Sequence, residues 1–108
     1  MNGNLNLITL IGNLLCSYQR GSIPFHRLVS EIKVAFDSLQ DMDNEWKKEF
    51  DEIWFGLEEV NALALDEGEI EPLSGDKTFA NYNVTKLLNL TRKAKDAIDK
   101  EMAFYEEV

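Results

Sequence analysis

The chain has 108 residues, 44% apolar and 10% aromatic, which suffices for one hydrophobic core, excludes two independent ones and excludes a wholly disordered polymer. Its single cysteine excludes an internal disulfide and any multi-cysteine zinc site. The formal charge of −9 is localised: residues 41–71 hold twelve acids against Lys47 and Lys48, a net of −10, while eight acids and nine bases elsewhere leave +1.

One domain over residues 1–108 is the expectation, and a field of that sign suits a basic partner better than nucleic acid. The first amphipathic segment runs roughly from Asn4 to Gln19, with Leu7, Ile8, Ile11, Leu14, Leu15 and Tyr18 at helical spacing and Gly21 as its stop. No basic residue precedes it, so it lacks the flank of a secretory signal. Asn6, Thr9, Gly12 and Asn13 interrupt it well short of a membrane span. The sequence therefore predicts a cytoplasmic protein with no membrane partner. Cys16, beside Leu14, Leu15 and Tyr18, reads as a buried small hydrophobe rather than a reactive thiol.

A second helix is expected from Ser22, the capping residue, with Pro24 inside the first turn where its missing N–H costs nothing. Phe25, Leu28, Val29, Ile32, Phe36 and Leu39 form its stripe. His26, the only histidine, reads as a partly exposed surface residue, and no motif with two histidines one turn apart is available. Asp43 is placed to cap a third helix from about Asn44 to Asp66, in which Trp46, Phe50, Ile53, Leu57, Val60 and Ala64 fall near one line. Gly68 closes that helix, and Glu69 to Tyr82 reads as the longest loop. The last helix is expected from about Asn83, with Val84, Leu87, Leu88, Thr91, Ala94, Ile98, Met102 and Tyr105 inward. No stretch alternates as a strand does, so the fold class is all-α: a four-helix antiparallel bundle, or a three-helix core with a docked N-terminal helix.

Catalytic and metal chemistry find little support. The adjacent acids Asp51-Glu52, Glu58-Glu59 and Asp66-Glu67 point about 100° apart on a helix and do not converge. Glu45, Glu49 and Glu52 share one side, but a di-metal bundle also needs Glu-x-x-His pairs that this chain lacks. The acidic segment after Leu65 lacks the ordered positions of a calcium loop, and the glycines are scattered singly, so nothing cradles a phosphate. Lys86, Arg92, Lys93, Lys95 and Lys100 are interrupted by Asp96, Asp99 and Glu101, which reads as a solvated face of mixed charge. No catalytic residue, metal or cofactor is assigned, and the chain reads as a non-enzyme.

The pattern breaks at Phe55, which falls about 180° from Trp46 among Asp51, Glu52, Glu58, Glu59 and Lys48. Either the first helix or the loop around Phe79 covers it, or it is an exposed aromatic anchor with a charged rim, the composition of an interface hot spot. Trp54 would lie between core and rim. Gly56, costing about 1 kcal/mol relative to Ala in mid-helix, suggests close approach by another backbone, most simply a packing partner inside the bundle. The candidate partner-binding set is Asp51, Glu52, Trp54, Phe55, Glu58, Glu59, Asp66, Glu67 and Glu69.

The run EWKKEFDEIWFGLEEVNALALDEG resembles the central helix of small acidic α-helical immunity proteins from bacterial polymorphic-toxin and contact-dependent growth inhibition systems. The likeness covers Ser22 to Gly68, roughly two fifths of the chain, and is carried by aromatic and acidic spacing. It implies a cytoplasmic inhibitor that neutralises one cognate toxin domain, commonly a nuclease, its acidic helix mimicking a phosphate backbone. That family offers no binding residues to carry over by position, so the candidate set rests on the helical wheel. The alternative is a helical adaptor or regulatory module that binds a basic partner segment.

Overall fold

The computed structural model describes residues 3–107, with side chains described from Gly3 to Glu101. Four helices, α1 (Gly3–Gln19), α2 (Phe25–Asp37), α3 (Asn44–Asp66) and α4 (Lys77–Glu107), are joined by short connections, and a 3-10 turn at Ser74–Asp76 leads into α4. There is no strand among the described residues. Each helix packs on its neighbours in sequence and α1 closes the ring against α4, so the four-helix bundle is the arrangement found and α1 is one of its walls.

Cross-links between helices show the alternating directions. The rings of Tyr18 and Phe25 meet at 5.5 Å where α1 hands over to α2, while the Asn4 side chain at the other end of α1 pairs with the backbone of Gln40 beyond α2. Between α3 and α4, the Trp46 indole N–H donates to the Leu90 carbonyl at 2.9 Å, and ten residues further along α3 Gly56 lies against Phe79 and Asn83. Between α2 and α3 the core is aromatic. There Phe36 and Phe50 stack with centroids 4.7 Å apart and planes 5° from parallel, and Trp46 leans on Phe50 at 5.2 Å.

Helix ends follow local chemistry, with two exceptions. Gly21 (φ +77°) and Gly68 (φ +75°) stop α1 and α3 in the left-handed conformation. The chain then folds back so that Ser22 N–H reaches the Ser17 carbonyl at 2.8 Å and Glu69 N–H reaches that of Ala64 at 2.9 Å. Asp43 caps α3 as expected, accepting from Trp46 N–H at 3.0 Å.

The first exception is α2. Ser22 is not its cap; Pro24 occupies that position and contributes no side-chain hydrogen bond. The free N–H of Phe25 donates instead to the Glu71 carboxylate at 2.9 Å, and that of His26 to the Ile70 carbonyl at 3.0 Å. The cap of α2 thus comes from the segment after α3. The second exception is α4, which starts at Lys77 rather than near Asn83. Ser74, Gly75 and Asp76, read as loop, form a tight turn that runs straight into the helix, with Asp76 N–H on the Leu73 carbonyl at 2.8 Å.

Five of the six inward positions expected on α3 are buried, and Ile53 is half-buried toward α4. Cys16 is half-buried against the core. The inward assignments of Met102 and Tyr105 lie outside the residues whose side chains are described.

Candidate functional site

Because α3 commits Trp46, Phe50, Leu57, Val60 and Ala64 to the interior, its opposite face must look outward. Phe55 lies on that face with 56% of its surface exposed, so neither α1 nor Phe79 covers it. Phe79 belongs to α4, where it and Asn83 sit over Gly56. A Cβ added at Gly56 would lie 2.7 Å from Asn83 Nδ2 and 3.2 Å from Phe79 Cζ, so the glycine accommodates side chains of α4 and not the expected backbone. Phe79 is itself 50% exposed and Tyr82, one turn along, 60%. Three aromatic rings therefore face solvent on the α3–α4 side of the bundle.

Sequence reasoning misses Phe79 and Tyr82 because the turn residues Pro72, Ser74, Gly75 and Asp76 make residues 69–82 read as loop. The signal was present: Phe79, Tyr82, Lys86, Asn89 and Lys93 recur at intervals of three and four, which places them on one face once α4 starts at Lys77.

Among the described residues the ion pairs within 4.0 Å are Arg27–Glu31, Lys33–Asp37 and Lys33–Asp51. Of the candidate acids only Asp51 is engaged, at 3.7 Å from the Lys33 ammonium. Glu52, Glu59, Asp66, Glu67 and Glu69 are exposed and Glu58 is half-buried, none with a cation inside that distance. The strip from Asp51 to Asp66 is about 22 Å long at the helical rise of roughly 1.5 Å per residue. Trp54 is placed differently from Phe55. It is half-buried, its indole N–H donates to the Val29 carbonyl at 3.1 Å, and the Lys33 ammonium lies 4.9 Å from its ring centre. Its first task is to join α2 to α3, and it bounds the acidic face on that side.

Asp66 and Glu67 close α3 at the negative end of its dipole, where a carboxylate costs roughly 0.3–1 kcal/mol instead of contributing stability. Glu69 continues the acidic run past Gly68, and Glu71 is turned back to α2 as its cap. Burial, and secondarily the nearby Glu71 charge, raise the Tyr18 hydroxyl above the ordinary tyrosine value of 10.0.

His26 is exposed in the first turn of α2, with Nδ1 3.4 Å from Nδ2 of buried Asn61. Asn61 Oδ1 has no hydrogen-bond partner, and turning the amide would set that oxygen against the same ring nitrogen. No three His, Cys, Asp or Glu side chains among the described residues come together as a metal site. No described helix is long and apolar enough to cross a membrane.

The geometry defines an all-helical bundle carrying an acidic face with the exposed ring of Phe55 within it. Compared with known proteins, the chain matches no protein-family model, no curated protein and no solved structure.

Proposed function

We propose that this protein is a non-enzymatic immunity protein: a cytoplasmic inhibitor that docks the outer face of α3 onto the basic surface of a cognate toxin domain, a nuclease being the best fit. The observation that carries the reading is Phe55, more than half exposed in the middle of a helix and surrounded by carboxylates of which only Asp51 has an ion-pair partner. An aromatic in that setting gains most of its burial only when a partner arrives, and the surrounding acids steer a positive surface toward it. The acids at the C-terminal end of α3 support the same reading, since they oppose the helix dipole and so serve something other than the stability of α3.

The test is neutralisation. The protein is used as bait in lysate of its native host, the captured protein is identified, and its toxic domain is expressed in a sensitive strain. The reading requires that co-expression of this chain restores growth and that the Phe55→Ala variant does so poorly. A captured partner with no toxicity would favour the adaptor reading.

A further inference from the structure

The docking face is not uniformly negative. Along α3, Glu49, Glu52, Gly56 and Glu59 recur at intervals of three and four, and along α4 so do Phe79, Tyr82, Lys86, Asn89 and Lys93. Where the two rows meet they form an open cleft of about 450 Å³ with Ile53 and Leu90 at its base, Glu49 and Glu52 on one wall and Lys86 and Lys93 on the other. Beyond it, past Gly56, the exposed rings of Phe79 and Tyr82 continue the row on α4, and the Lys86 ammonium is held 4.6 Å from the centre of the Tyr82 ring. No ion pair within 4.0 Å spans α3 and α4 among the described residues, so neither wall is neutralised by the other. Surface pairs that did form there would contribute only about 0–1 kcal/mol each, too little to hold the groove shut against a partner.

We infer that this groove receives one amphipathic helix of the partner protein, its apolar ridge on Ile53, Phe79 and Tyr82, its basic flank over the α3 wall and the Phe55 face beyond it, and its acidic flank over α4. From Phe79 to Lys93 the groove is about 21 Å long at roughly 1.5 Å per residue, which a helix of about four turns fills. The two walls fix the direction of that helix, because reversing it end for end would set its basic flank against Lys86 and Lys93. A helix basic on both flanks meets the same repulsion in either direction.

The inference rests on the docking reading above and adds the charge pattern of the docked element. Two fluorescein-labelled synthetic helices of about 16 residues, with the same Leu and Ile ridge, test it by anisotropy at low salt. One carries Lys on one flank and Glu on the other; the second carries Lys on both. The split-flank peptide should bind about tenfold more tightly than the all-basic one, and Lys86→Glu with Lys93→Glu should reverse that order. Phe79→Ala should weaken the split-flank peptide by about tenfold. Should the double reversal disturb the fold by circular dichroism, Lys86→Gln with Lys93→Gln must still remove the preference. If the all-basic peptide binds the wild-type protein as tightly as the split-flank one, the charge-split groove is wrong while a basic partner for α3 stands. If neither peptide binds, the groove inference falls, while the docking reading stands or falls on the neutralisation test.

Discussion

Phe55 and Phe50 are the same residue type in one helix with opposite fates, and the contrast separates function from stability. Phe50 is fully buried and stacked on Phe36, so Phe50→Ala should cost about 3–5 kcal/mol of folding stability, read by thermal or urea unfolding. Phe55→Ala removes a ring that is mostly in solvent already. It should leave the unfolding midpoint within about 2 °C of the wild type and weaken partner binding by about 2 kcal/mol, measured by calorimetry. A Phe55→Ala protein that melts like Phe50→Ala would place Phe55 in the core and remove the anchor. The wheel on α3 was enough to set Phe55 opposite the core stripe. It was not enough to decide exposure, because that depends on which neighbouring helix could have folded over it. Phe79 was the missing piece: the gap above Gly56 is filled by a side chain whose helix was read as loop.

At the scale of elements, the 3.6-residue period found all four helices, and the local signals Gly21, Asp43 and Gly68 found three of their ends. What escaped was the cap of α2, supplied by Glu71 from 46 residues downstream, since no local pattern encodes a long-range cap. Glu71→Ala should therefore destabilise the bundle by about 1 kcal/mol in urea unfolding, while Ser22→Ala, at an exposed position outside α2, should be near neutral. Equal effects would return the cap to Ser22. The same junction makes a pH prediction. Tyr18 is raised by burial and then by Glu71, so the unfolded chain loses that proton first as the pH climbs. The stability tied to Tyr18 is fully present below the ordinary value of 10.0 and is lost as the pH rises from there through the raised folded value. Tyr18→Phe should flatten that part of the alkaline unfolding profile, and an unchanged profile would show that Tyr18 ionises as freely in the folded state as outside it.

Across the whole molecule, the charge map could be read almost entirely from the sequence, because twelve acids between Asp41 and Glu71 fall on a single helix and its flanking turns. Which of them are free could not be read, and the structure divides them by use. Glu71 caps α2, Asp43 caps α3, and Asp51 shares Lys33 with Asp37. The carboxylates of Glu52, Glu58, Glu59, Asp66, Glu67 and Glu69 enter none of the described ion pairs or side-chain caps, and they flank or extend the strip around Phe55. The basic residues of α4 do not cancel this field; they form the far wall of a groove whose near wall is acidic. The molecule thus carries its folding energy on one side of α3 and an unneutralised field on the other.

The most direct test of that division is the association rate with the captured partner, measured by stopped flow across ionic strength for the wild type and for the variant with Asp51, Glu52, Glu58 and Glu59 changed to their amides. If the outer face of α3 steers a basic surface, the variant associates about tenfold or more slowly at low salt, and the difference shrinks as the screening length falls to roughly 8 Å at physiological ionic strength and below. Equal rates at low salt would contradict the account.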